Sequence, residues 1–236
     1  RPVGIIYGKP RVCAYDGFNY CYECHENDEF HIPARIVHNW DFRKHKVARR
    51  CLEYMKACET RPLLHIEKMN PRLYDHIPEM KEIKELRTQL QHLKAYLYTC
   101  KQSVADELRR QVWPREHLYE DVHLYSLQDI EQVPSGQLAA TLRKVIKFAT
   151  KHVYSCSLCG QKGFICEICD NPKVIYPFEL ETTVKCTMCQ AVFHKDCKSD
   201  LKPCPRCARR RTRTSSLQRT AADQMDYAYL PQNVQT

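Results

Sequence analysis

The chain has 236 residues, a formal net charge of +9 and a hydrophobic fraction of 43%. A chain of this length can form one large or two small globular domains with a hydrophobic core. No apolar run approaches the roughly 18 residues of a membrane span, and no secretory signal pattern is present. The 15 cysteines, many in metal-type spacing, favour a reducing compartment over a disulfide framework. Because the chain begins at Arg1 rather than Met, we expect a fragment or a processed piece.

Residues 1–33 predict a partial N-terminal zinc module. Aromatic residues around Gly17 indicate a short hairpin that leads into a Cys-x2-Cys pair. The expected zinc ligands at this end are Cys13, Cys21, Cys24 and His25. Since adjacent residues rarely bind one ion comfortably, a missing upstream Cys-x2-Cys pair is the alternative partner for this end.

Residues 34–152 predict a helical domain, because they are rich in Leu, Lys, Glu and Arg and poor in glycine. The clearest helix is expected over 78–100, with apolar positions three or four residues apart at Met80, Ile83, Leu86, Leu90, Leu93, Leu97 and Cys100. Further helices are expected over 41–57 and 135–152, and residues 103–106 and 126–129 have the form of capping boxes. The unpaired Cys51, Cys58 and Cys100 are interpreted as buried, inert thiols.

Residues 153–210 predict a C-terminal zinc-finger module. Five donor pairs share one spacing, with two residues between the members: Cys156/Cys159, Cys166/Cys169, Cys186/Cys189, His194/Cys197 and Cys204/Cys207. This spacing lets one tight turn direct both donors at one metal, and a tetrahedral structural zinc takes two such pairs. We therefore expect at least two zinc ions within 156–207, and one or two more that include the N-terminal end.

The order of the pairs from Cys166 onward suits an interleaved cross-brace. In that arrangement Cys166, Cys169, His194 and Cys197 bind one zinc, and Cys186, Cys189, Cys204 and Cys207 bind the other. The pair Cys156/Cys159 is left over. It either completes a third site with donors from elsewhere or replaces Cys166/Cys169 as the first pair, and the sequence leaves both alternatives open.

The last residues, 211–236, are expected to form a disordered tail, because they carry Ser, Thr, Gln and Asn without an apolar stripe. Residues 226–230 have the form of a short docking motif for autophagy adaptors. A basic cluster, formed by Arg206, Arg209, Arg210, Arg211 and Arg213, suits phosphate, acidic lipid headgroups or an acidic protein face, and so predicts peripheral membrane contact. The alternative interpretation of this cluster is a solvated tail.

Three functional classes compete for the zinc region. The Cys166–Cys169 and Cys204–Cys207 pairs resemble the first and last pairs of a RING ubiquitin ligase, whereas the middle order resembles the plant-homeodomain finger of chromatin readers. Both resemblances stop at metal geometry. Zinc sites with four thiolates, or with three thiolates and one His, have no open position for water, so the sequence predicts a protein without enzymatic activity. Phe178, Val184, Val192 and Phe193 are candidates for a partner surface, or else for packing between the two zinc sites.

The third class is a small-GTPase-binding scaffold, and it rests on a family resemblance. The residues that carry it are 31–42 after the pair at 21–24, the run 156–169, Tyr176-Pro-Phe178, Val192-Phe-His-Lys-Asp-Cys197 and Cys204-Pro-Arg-Cys-Ala-Arg209. Together they resemble the Rubicon-homology domain, most closely that of the pleckstrin-homology-domain-containing family M. The match spans roughly 1–210. Relatives carry a Cys-x2-Cys pair ahead of the residue matching Cys13, and this chain lacks it.

The resemblance implies an elongated, mainly α domain with small zinc-stabilised α+β modules at both ends. It also implies a protein partner, a late-endosomal Rab small GTPase in its GTP form, and no nucleic acid. The expected role is that of an adaptor in endosome–lysosome and autophagosome traffic. The expected location is the cytoplasm, with recruitment to endolysosomal or Golgi membranes.

Overall fold

The computed structural model describes residues 8–169, 171–198 and 203–212. They form two compact units, one ending at Cys159 and the other beginning at Gly160. The described residues are mainly helical, and their sheets have two short strands each, which confirms the mainly α prediction. The finer division at residues 33, 152 and 210 stays a prediction. The motif at 226–230 and Arg213 lie outside the described residues.

The first unit opens with two small hairpins. Strand β1 (Arg11–Val12) pairs antiparallel with β2 (Asn19–Tyr20), which confirms the hairpin predicted around Gly17. Strand β3 (Asp28–His31) is followed by helix α1 (Pro33–Asn39) and pairs with β4 (Lys44–Val47). Helix α2 (Arg49–Cys58) comes next. The helix predicted over 41–57 is therefore wrong in its first part, because pairing with β3 holds 44–47 in an extended conformation.

The rest of the first unit is helical around one small sheet. Its elements are β5 (Leu64–His65), α3 (Ile66–Met69), α4 (Leu73–His76), α5 (Pro78–Tyr98), α6 (Gln102–Val112), α7 (His117–Glu120), β6 (Leu124–Tyr125), α8 (Leu127–Glu131), α9 (Gln137–Ser155) and α10 (Ser157–Gly160). Strand β5 pairs antiparallel with β6. The helices predicted over 78–100 and 135–152 are confirmed. Helix α5 starts where predicted and ends two residues earlier, whereas α9 starts two residues later and ends three residues later.

Helix starts show which local signals the chain uses. Helix α5 begins at Pro78, whose missing N–H and fixed φ suit a first turn. The capping box of α8 is confirmed, because the Ser126 hydroxyl accepts from the Asp129 N–H while the Asp129 carboxylate accepts from the Ser126 N–H. The capping box predicted at 103–106 is wrong. Helix α6 starts at Gln102, two residues before the start that a Ser103 cap implies, and no side chain caps it.

The core of the first unit lies where α5 packs against α9. Buried α5 side chains include Met80, Ile83, Leu90, Leu93 and Leu97, and buried α9 side chains include Leu138, Leu142, Val145, Ala149 and Val153. One position differs from the predicted stripe: Arg87 is fully buried, at 0% exposure, whereas Leu86 is only half-buried. The tertiary neighbours of Arg87 explain this. Its guanidinium donates to the carbonyls of residues 117, 118, 121 and 124 at 2.7–3.1 Å.

The second unit is small and has little regular structure. Strand β7 (Thr183–Lys185) pairs antiparallel with β8 (Val192–His194), a single bridge joins Phe164 to Ile175, and residues 205–212 are helical. Its core contains Ile175, Ala191, Val192 and Phe193 packed among cysteine side chains. Because Phe178, Val192 and Phe193 are buried, the partner-surface interpretation is wrong for these three residues. Val184 is partly buried against the same core.

The helices of the described residues bear on whether the chain could cross a membrane. None of the helices in the described ranges combines the length and the apolar character that crossing a bilayer requires.

Candidate metal centres

The second unit gathers eight donor side chains into two groups of four. One contains Cys166, Cys169, His194 and Cys197, and the other contains Cys186, Cys189, Cys204 and Cys207; within each group all ligand atoms lie within 4.8 Å of one another. These are the groups that the interleaved order predicts. The β7–β8 hairpin places them, because Cys186 directly follows β7 and His194 ends β8. Both groups have the composition and the spacing to hold a metal ion.

The distances between donor atoms match a tetrahedral site. With Zn–S bonds of about 2.3 Å and Zn–N bonds of about 2.0 Å, two sulfurs stand about 3.8 Å apart and a sulfur and a nitrogen about 3.5 Å apart. The Sγ atoms of Cys186 and Cys207 are 3.8 Å apart, and those of Cys189 and Cys204 are 3.5 Å apart. Nδ1 of His194 lies 3.5 Å from the Cys169 sulfur and 3.7 Å from that of Cys197. A disulfide requires about 2.05 Å, and all the cysteines are free.

In each group, hydrogen bonds from backbone N–H groups stabilise the thiolate form of one cysteine. Burial by itself raises the pKa of Cys166, but the N–H groups of His194, Ile168 and Cys169 lower that pKa to about 6. The N–H groups of Cys189 and Met188 likewise lower the pKa of Cys186 to about 6, against a smaller effect of burial. These turns thus supply the hydrogen bonds to sulfur that thiolate ligands use.

Cys197 and Cys207, one thiol from each group, resist ionisation when no cation is near. Burial and then the neighbouring thiols raise the pKa of Cys197 to about 11 and that of Cys207 to about 12. A cation held between the sulfurs would remove this repulsion, so metal binding would release protons from these thiols.

A third group of metal-type donors lies in the first unit and includes Cys156 and Cys159. Their side chains join those of Cys100 and His152, with all four ligand atoms within 4.8 Å. The Cys100 sulfur is 3.7 Å from that of Cys156 and 3.4 Å from Nε2 of His152. Of the two alternatives left open, the structure favours a third site with donors from elsewhere.

The third group corrects the interpretation of Cys100 as an isolated thiol. Cys100 follows the C-terminal end of α5, and His152 lies in the last turn of α9. Because α5 packs along α9, their C-terminal ends bring the two residues together. A partial signal is present in the sequence: His152 precedes Cys156 by four residues, which places both on one side of a helical turn.

The structure does not bring the four predicted N-terminal ligands together. Cys13 lies instead beside Asp16 and Cys51. His25 is buried, and both of its ring nitrogens have backbone partners. Its Nδ1 accepts from the Asn27 N–H at 3.2 Å, and its Nε2 lies 3.3 Å from the Val12 carbonyl. The grouping of Cys13 and His25 with Cys21 and Cys24 is corrected accordingly.

Cys21 and Cys24 remain close to each other in one turn. The Cys24 and His25 N–H groups both donate to the Cys21 carbonyl. The backbone N–H of Cys24, followed by its side chain, lowers the pKa of Cys21. Within the described residues this pair belongs to no group of three or more donors.

Fold and site together define a mainly helical domain with Cys/His groups spaced as in structural metal sites. The chain belongs to the Rubicon Homology Domain family, whose profile matches residues 11–212. It is similar to the pleckstrin homology domain-containing family M member 3 of Xenopus laevis, with 51% identity over 210 residues, and to that of Homo sapiens, with 52% identity over 210 residues. These alignments cover 89% of this chain but 28% of each relative, so the chain spans little more than a quarter of their length.

Proposed function

We propose that this chain is a non-enzymatic, zinc-stabilised adaptor module that binds a GTP-bound late-endosomal Rab small GTPase in endosome–lysosome and autophagosome traffic. The observation that carries the adaptor role is membership of the Rubicon Homology Domain family across residues 11–212. Family membership by itself suggests an adaptor in trafficking. We extend this family-level suggestion in two ways: the partner is a Rab, and the chain is recruited from the cytoplasm to endolysosomal or Golgi membranes.

Zinc is the metal we assign to the three Cys/His groups. Thiolate and imidazole donors in a tetrahedral arrangement are typical of zinc, and the donor distances above support the assignment. Cys166, Cys169, His194 and Cys197 would hold one ion, Cys186, Cys189, Cys204 and Cys207 a second, and Cys100, His152, Cys156 and Cys159 a third. The ions would supply folding energy, on the order of 10 kcal/mol for each site.

Four protein ligands at each site argue for a structural role. A catalytic zinc keeps one coordination position for water or substrate, and a site closed by four side chains has none. The second unit buries few large apolar side chains, so metal would fix its shape. We propose that this metal-fixed unit presents the partner-binding surface, and that the arginines of residues 205–212 add contact with an acidic surface.

The alternative function is that of a RING or plant-homeodomain finger. The interleaved grouping of the second unit favours it, because both kinds of finger bind two metal ions through alternating ligand pairs, although only the plant-homeodomain finger has the Cys/Cys, His/Cys order seen here. A ubiquitin ligase would modify itself when mixed with a panel of conjugating enzymes, and a chromatin reader would bind a histone-tail peptide array. We expect both assays to be blank.

The test of the adaptor proposal is a pull-down with a panel of Rab proteins loaded with either a GTP analogue or GDP. The wild-type chain should capture a late-endosomal Rab only in the GTP form. His194→Ala should lose one zinc per chain by elemental analysis and lose the capture. His76→Ala, which changes an exposed histidine of α4, should keep both.

Two results would count against the proposal, at different points. If the wild-type chain captures no Rab in a GTP-dependent way, the partner assignment is wrong. If His194→Ala remains folded by circular dichroism and captures the Rab as well as wild type does, the metal does not form the binding surface.

A further inference from the structure

A fourth cluster of metal-type donors lies in the first unit and shares no residue with the three Cys/His groups. The ligand atoms of Cys13, Asp16 and Cys51 all lie within 4.8 Å of one another. The Cys51 sulfur is 3.2 Å from Oδ2 of Asp16. Cys13 has 0% of its surface exposed and Cys51 has 7%, so the thiols face inward, toward the carboxylate.

The carboxylate is held in a fixed orientation by its neighbours. The Phe18 N–H donates to Oδ1 of Asp16 at 3.0 Å, and the Tyr20 hydroxyl donates to Oδ2 at 2.5 Å. Carboxylates that bind metal ions are commonly fixed in this way by hydrogen bonds from outside the ligand set. A packing role for two small thiols would require neither a partly buried carboxylate beside them nor its fixed orientation.

We propose that Cys13, Asp16 and Cys51 form a further divalent-metal site of the zinc type, which joins the β1–β2 hairpin to α2. A tetrahedral zinc with one oxygen and one sulfur ligand places these atoms about 3.5 Å apart, close to the observed Asp16–Cys51 distance. Three protein ligands leave the fourth position for water. The ion should therefore exchange more readily than ions held by four side chains.

The site would fix two elements that also line an apolar groove. Tyr15 follows β1, and Tyr54, Met55 and Cys58 belong to α2; all four line a groove with a volume of about 280 Å³. The Tyr15 and Tyr54 rings lie 6.3 Å apart. A metal bridge between the hairpin and α2 would set the separation of these groove residues.

The experiment counts zinc equivalents in the full chain. Purified protein is stripped with a chelator, and zinc is titrated back against a chromophoric chelator while circular dichroism monitors the fold. Wild type should bind one more equivalent than Cys51→Ser, and the equivalent that is lost should be the weakest in the titration. Cys58→Ser is the matched control, because Cys58 lies on the same helix outside the cluster, and it should keep the wild-type number.

A second variant protects the test against misfolding. Asp16→Asn keeps the size of the side chain and one hydrogen-bond acceptor, and it should also lose one equivalent with the helical signal unchanged. If Asp16→Asn and a folded Cys51→Ser bind as many equivalents as wild type, the three residues are core packing and the proposal is wrong. If Cys51→Ser misfolds, the result for Asp16→Asn decides by itself.

Discussion

Replacing the buried Arg87 with methionine should destabilise the first unit by about 3–5 kcal/mol, because it leaves several buried or partly buried carbonyls without their donor, at about 1–3 kcal/mol each. Arg87 lies on α5, and its guanidinium donates four hydrogen bonds to carbonyls in the segment 117–124. It also packs over the Tyr125 ring, 4.2 Å from its centroid. These contacts fix the turn between α7 and β6 onto α5.

The magnitude follows from opposing effects. Hydrogen bonds from a charged donor are worth about 1.5–3 kcal/mol each. Three N–H hydrogens, one on Nε and two on Nη2, serve the four carbonyls, so together they contribute roughly 4.5–9 kcal/mol. Methionine offsets part of this, because it removes the cost of burying a charge. Nη1 of Arg87 is itself buried without a partner among the described residues, which adds to the cost that methionine relieves.

The assay is chemical unfolding in zinc-containing buffer, combined with hydrogen exchange of residues 117–125. Metal bound at the proposed sites would make unfolding depart from two-state behaviour, so the variant is compared only with wild type and with a control. Arg110→Met is that control, because its side chain is 78% exposed on α6, and it should change stability by no more than about 0.5 kcal/mol. A loss below about 1 kcal/mol for Arg87→Met, with unchanged exchange at 117–125, would refute the reasoning.

Two further predictions concern Cys100 and Asp129. Cys100→Ser should lower the zinc content by one ion per chain and speed proteolysis near the C-terminal ends of α5 and α9. The control Cys58→Ser should change neither the zinc content nor the rate of proteolysis. If the zinc content of Cys100→Ser is unchanged, Cys100 is not a ligand of the third site. Burial by itself raises the pKa of Asp129, but hydrogen bonds and charges from His117 and Arg115 lower it below its usual range. A lowered folded-state pKa contributes stability above the unfolded value, near 3.9, that is lost as pH falls through the folded value. Asp129→Asn should therefore be less stable than wild type at neutral pH, with the difference shrinking below about pH 4; a constant difference in acid-unfolding curves would contradict this.

Local spacing was enough to predict much of this protein. Two donors separated by two residues share one turn, so their pairing depends on the backbone alone. The order of the pairs also predicted both groups of the second unit. The apolar period of α5 and the Ser126 capping box are equally local, and both are confirmed. Where a long-range contact competed, as β3 does for 44–47, the local prediction was wrong.

Only the tertiary structure decided which distant residues complete the remaining clusters. Cys100 and His152 meet Cys156 and Cys159 because α5 and α9 pack side by side, and Cys51 meets Cys13 because α2 lies against the first hairpin. The same holds for Arg87, whose burial on an apolar stripe depends on carbonyls about 30 residues away. Sequence periodicity predicts which side of an element is buried. Which distant residues contact that side depends on how whole elements pack together.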